Sequence, residues 1–118
     1  MSANVSFAQN SRFKIGWIIL LTIAALMTLG HFSLIFIFMD ERVMFAGLAA
    51  SNLYAFIAIY TAFRRGEKWA WIVTWTLPVL ALLIAATVPS IAIYYYGVAA
   101  ICGLALLVTM RDFVSQAR

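Results

Sequence analysis

Few side chains in this sequence can do chemistry, and their spacing groups them. His31 lies nine residues before the Asp40-Glu41-Arg42 triplet, and Asn52 lies nine residues after Val43. If both stretches are helical, a rise of about 1.5 Å per residue places each side chain roughly 13 Å in from the same loop. Pro78 reaches a comparable level on a third segment, and its missing N–H frees the carbonyl of Thr74 one turn earlier. Ala99, Cys102 and Gly103 come to the same region from a fourth. A polar group left without a partner in hydrocarbon costs several kcal/mol, so His31 and Asn52 are expected to turn inward and pair. An ionisable residue inside a membrane is a functional candidate by default. His31, Asn52, Thr74 and Pro78 are therefore a candidate ligand or proton site. The plainer reading of the same residues is a hydrogen-bonded clasp between two helices, worth on the order of 0.6 kcal/mol net.

Other chemistries lack their parts. One Cys and one His cannot supply the four ligands of a structural zinc site. A single His excludes a bis-histidine haem, and nothing favours a His–Met haem on Met27, Met39 or Met44. Cys102 alone forms neither an internal disulfide nor a Cys-x-x-Cys redox pair. Neither a glycine-rich phosphate loop nor a serine-nucleophile motif occurs. The sequence thus points to no catalytic residue, no cofactor and no metal. Proton-coupled transport usually places a carboxylate inside the membrane, and no apolar stretch of this chain contains one.

The elements that must position these residues follow from where charge is missing. Of 118 residues, 66% are hydrophobic and 10% charged, against about 25% charged in a soluble domain. The mean hydropathy is +1.03. Twelve charges cannot cover the surface of so small a globule. This excludes an ordinary soluble enzyme, a disordered chain and a disulfide scaffold. No Asp, Glu, Lys or Arg occurs at 15–39, 43–63 or 69–110. The first two runs each suffice to cross a hydrocarbon core of roughly 30 Å, and the third suffices for two crossings. Thr87-Val88-Pro89-Ser90 divides the third run, because Pro cannot continue a helix and biases its predecessor away from helical geometry. The expected fold is all-α: an integral membrane four-helix bundle, up-down-up-down, with helices near 15–39, 43–63, 69–87 and 91–110. Residues 1–118 form a single transmembrane domain. The first apolar stretch is too long for a signal-peptide core, and no small-x-small cleavage site follows it, so it is read as a retained span.

Orientation follows from the basic residues. Arg12, Lys14, Arg64, Arg65, Lys68, Arg111 and Arg118 fall on one side of such a bundle, and only Arg42 falls on the other. Both termini are expected to be cytoplasmic, in a multi-pass protein of the cell (inner) membrane. The net charge of +4 is then a topology signal with some attraction to anionic lipid, and needs no nucleic-acid partner. Trp17, Trp69 and Trp71 at the cytoplasmic ends, and Tyr94, Tyr95 and Tyr96 near the outer end of the fourth helix, read as interface anchors. Small residues at helical spacing read as helix-packing positions: Gly47 and Ser51 on the second helix, Ala81 and Ala85 on the third, Ala99 and Gly103 on the fourth. Most would pack inside the bundle, while a stripe could instead face a foreign helix.

The loop Arg64-Arg65-Gly66-Glu67-Lys68-Trp69-Ala70-Trp71 has a structural job for each residue. Gly66 suits a helix C-terminal turn, and Arg64 and Arg65 complement the negative end of the preceding helix. Glu67 complements the positive start of the next one. This Arg-Gly-Glu-Lys-Trp-Ala-Trp stretch resembles small four-helix bacterial membrane proteins of the DoxX-like group. The resemblance implies the four-helix architecture. It also points to the settings of that group, which are quinone-linked sulfur oxidation and membrane complexes. Three functions are open at this stage. The first is a non-catalytic accessory subunit packing against other integral membrane subunits, an energy-converting complex being one such setting. The second is a channel, carrier or lipid- or quinone-binding bundle with a pocket around His31 and Asn52. The third is a membrane enzyme with His31 as acid/base, which would lack a carboxylate or nucleophile at its depth.

Overall fold

The structure is a computed structural model that describes residues 11–114. Arg118, one of the basic residues used to assign orientation, lies outside the described residues. Among the described residues five α-helices follow one another: α1 (Ser11–Ile37), α2 (Arg42–Thr61), α3 (Lys68–Thr74), α4 (Thr76–Thr87) and α5 (Ala92–Val114). Short 3-10 turns at Met39–Glu41, Phe63–Arg65 and Pro89–Ile91 connect them. Taking α3 and α4 as one broken helix, there are four helical spans among the described residues, each long and apolar enough to cross a membrane.

Each break has a local cause. Phe38 (φ −109°, ψ 83°) and Val88 (φ −126°, ψ 84°) leave helical geometry, the second because Pro89 follows it. Gly66 adopts φ 80°, a left-handed conformation open to glycine, and donates its N–H to the Phe63 carbonyl at 2.8 Å. Trp75 separates α3 from α4, three residues before Pro78, where the proline leaves the Thr74 carbonyl without its usual donor. The helices also depart from the charge-free runs. α1 begins at Ser11 and α5 continues to Val114, so Arg12, Lys14, Arg111 and Asp112 are helical. A charge-free run does not fix where a helix ends: Lys and Arg are good helix formers and carry the helix beyond it.

α1 packs on α2 and α5, α5 packs on α4, and α3 touches α2 and α5. The buried positions trace one stripe per helix: Phe13, Gly16, Leu20, Ala24 and His31 on α1, and Phe45, Ala49, Asn52, Ala55 and Ile59 on α2. Pro78, Ala81 and Ala85 line α4, and Ala99, Cys102, Leu106, Thr109 and Phe113 line α5. Alanine recurs inside while bulkier Leu29, Phe36, Ile93 and Leu104 lie exposed. Small inward residues allow close helix approach where hydrophobic sorting is weak.

One end of the bundle is tied by an aromatic knot. Phe13, Phe63 and Phe113 are fully buried, with ring centroids 5.0 to 5.8 Å apart. Trp71 adds its ring 6.1 Å from Phe113 and donates its indole N–H to the Leu106 carbonyl at 3.0 Å. Beside the knot, Arg12 pairs with Asp112 at 3.3 Å.

Candidate functional site

The polar core of the molecule is a chain of three side chains on three helices. Asn52 of α2 donates from Nδ2 to Nδ1 of His31 on α1 at 3.0 Å, and His31 Nε2 lies 2.9 Å from the Tyr95 hydroxyl on α5. With Nδ1 accepting, the neutral imidazole carries its proton on Nε2 and donates it to Tyr95. Asn52 Nδ2 also donates to the Leu48 carbonyl one turn back, at 2.8 Å. His31 and Asn52 retain only 3% and 2% of their exposure. The Phe45 and Tyr95 rings lie near the imidazole, each with its centroid 6.2 Å away. The helix stripes explain the meeting: Leu20, Ala24 and His31 share one face of α1, and Ala49, Asn52 and Ala55 share one face of α2. His31 sits at the crossing.

His31 and Asn52 are thus brought together. Thr74 and Pro78 do not join them. Thr74 is fully buried and spends its hydroxyl on the Ala70 carbonyl at 2.6 Å within its own helix. Pro78 is buried on α4 and contributes the break rather than a ligand. The third member of the cluster, Tyr95, departs from the belt reading. Three consecutive helical residues point about 100° apart, so a run of three tyrosines cannot share one face. Tyr94 and Tyr96 face outward, and Tyr95 turns in to His31. The sequence signal that could have found it is this rotation combined with the position of Ala99, one turn further along the same face.

The other anchors divide in a similar way. Trp69 is exposed and donates its indole N–H to Glu67 at 2.6 Å, and the same carboxylate pairs with Arg65 at 2.8 Å. Glu67 therefore holds the loop through side chains and makes no side-chain cap on α3. Trp17 and Trp71 are partly buried and pack against the core. Among the small residues, Ala81, Ala85 and Ala99 face the bundle interior. Gly47 and Ser51 do not pack inside: they lie on the exposed face of α2, because the inward face belongs to Ala49 and Asn52. Gly103 is partly exposed, with open space where a Cβ would be. The close-approach glycine is Gly16, which the sequence reading did not single out. A Cβ there would meet Thr109 Cγ2 at 2.5 Å.

Chemically, the His31 cluster can tie three helices together, and it can pass a proton only between His31 and Tyr95. Comparison with known protein families, with curated proteins and with solved structures found no match to this chain.

Proposed function

We propose that the chain spans the cell (inner) membrane four times as an up-down-up-down bundle with both termini cytoplasmic. In this reading it serves as a non-catalytic accessory subunit of a larger membrane complex of the energy-converting kind, a reading suggested by the absence of charge within the spans, the small-residue stripes and the short loops. The observation that carries the proposal is the outward placement of Gly47 and Ser51. They stand four residues apart on an exposed face of α2, with nothing within 4 Å of a Cβ at Gly47. Small residues at that spacing let a second helix approach closely in lipid. Inside, the strongest polar groups, His31, Asn52 and Tyr95, are engaged with one another. Native mass spectrometry of a mild-detergent extract from native membranes tests the proposal. The expected result is a co-purifying integral subunit that Gly47→Leu with Ser51→Leu releases. A lone 13.1 kDa chain in the wild-type extract would overturn it.

A second reading is a small-molecule channel, carrier or quinone-binding bundle, favoured by the convergence of His31, Asn52 and Tyr95. A quinone carbonyl could take the place of Tyr95 on His31 Nε2. Solvent extraction of purified protein should then yield quinone, and His31→Leu with Asn52→Leu should remove it. Equal quinone in both preparations would dismiss that site.

A further inference from the structure

We infer that the turn between α2 and α3 binds the phosphate of an anionic phospholipid headgroup, with Arg64 as the residue that grips it. Three side chains spaced four residues apart form a ladder at the end of α2. The Phe56 and Tyr60 rings lie at an interplanar angle of 2° with centroids 6.4 Å apart, and the Arg64 guanidinium carbon lies over the Tyr60 ring at 4.4 Å. A cation held on a ring face keeps its N–H groups for other partners. A guanidinium offers them in a planar fork that matches two phosphate oxygens. Arg64 spends none of them within the chain: among the described residues it makes no side-chain hydrogen bond and no ion pair.

The acid of the same turn is already used. Glu67 takes Arg65 on one carboxylate oxygen at 2.8 Å and the Trp69 indole N–H on the other at 2.6 Å. Arg64 and Lys68 are both exposed and form no ion pair among the described residues, so the turn presents two cations without an acid. Around them, Tyr60 and Trp69 are 47% and 48% exposed. Such amphipathic rings settle at the boundary between hydrocarbon and headgroups. Unpaired cations beside exposed rings, at the end of a charge-free run, fit a phosphate that is joined to lipid. Choline would bring its own ammonium against Lys68, which favours a headgroup of net negative charge. The inference rests on the spans crossing a bilayer, which puts Arg64, the first charge after residues 43–63, at headgroup level. It does not depend on the accessory role.

The test reconstitutes the full chain in phosphatidylcholine vesicles containing a minor share of phosphatidylglycerol. Carbonate washing first checks insertion, and native mass spectrometry then counts lipids retained in mild detergent. The wild type is expected to retain phosphatidylglycerol in excess of its share of the bilayer. Arg64→Gln should lower that excess by about fivefold, the usual strength of a basic residue at an anionic surface. Arg64→Lys keeps the charge but loses the fork, so it should also lose most of the excess. Tyr60→Leu should lower it by removing the platform, and Tyr60→Phe should keep it. Lys14→Gln removes one charge away from the turn and should leave the excess intact. Unchanged melting in the exposed-residue variants separates loss of the site from loss of the fold. Phosphatidylglycerol held only at its bilayer share, a full excess in Arg64→Lys, or equal losses in Arg64→Gln and Lys14→Gln overturns the site in favour of diffuse attraction. Loss of the excess in inorganic phosphate, but not in chloride of equal ionic strength, overturns it in favour of a soluble anion. A chain stripped off by carbonate overturns the spanning reading instead, and the site falls with it.

Discussion

Thr109 packs closely against Gly16, and its chemistry explains why a glycine lies opposite. The hydroxyl donates to the Ala105 and Leu106 carbonyls at 2.9 and 3.0 Å, which fixes the rotamer of a side chain already stiff at Cβ. The methyl is thereby aimed at α1, where a Cβ on residue 16 would lie 2.5 Å from it. Gly16→Ala is therefore expected to destabilise the protein by about 1–3 kcal/mol, the usual range for overpacking, despite the higher helix propensity of alanine. Thr109→Ser removes the methyl and keeps the hydroxyl, so it should restore much of the loss in the Gly16→Ala background. Gly47→Ala, with open space around it, should be neutral or gain up to about 1 kcal/mol. Thermal melts of the three variants in one detergent check this. Equal melting shifts for Gly16→Ala and Gly47→Ala would show that the junction is loose.

At the scale of the helices, the third span is the one whose form depends on a single residue. Pro78 deprives the Thr74 carbonyl of a donor, the segment breaks at Trp75, and the Trp75 N–H bonds back to the Ile72 carbonyl at 3.2 Å in a tighter turn. Pro78→Ala should supply the missing N–H and join α3 to α4. Amide exchange at residues 75–79 is then expected to slow relative to the rest of α4, and unchanged exchange would place the cause of the break elsewhere. The Pro89 turn and the glycine turn at Gly66 were legible in the sequence, because Pro and Gly act locally. The carbonyl freed by Pro78 was also legible, but the expected helix over 69–87 is in fact divided at Trp75. The meeting of His31 with Asn52 was legible from depth alone. Helix rotation was not legible. A soluble helix reveals its buried face by an apolar stripe, but these helices are apolar all round, so nothing in the sequence says which way a residue points. For that reason Tyr95 read as a belt residue and Gly47 and Ser51 as interior packing, and the knot of Phe13, Phe63 and Phe113 was not foreseen.

For the whole molecule, the contacts at its two ends decide which spans run together. Phe13 at the start of α1 meets Phe63 just beyond α2 and Phe113 near the end of α5. Toward the opposite end, His31 near the end of α1 meets Phe45 near the start of α2 and Tyr95 near the start of α5. Such pairings support the proposed up-down arrangement, and the basic residues are the ground for proposing which side is cytoplasmic. Arg64, Arg65 and Lys68 share a loop with Glu67, whereas Asp40 and Glu41 share theirs with Arg42. Lys and Arg in short loops are what hold a segment in the cytoplasm. In a Cys102→Ser background, Asp40→Cys should react in intact cells with a maleimide that cannot cross the membrane. Lys68→Cys should react only after the cells are opened. The native Cys102 is buried, so its removal costs the assay little. If Lys68→Cys instead labels in intact cells and Asp40→Cys does not, the bundle is inverted, with the loop of Arg64, Arg65 and Lys68 on the outer side.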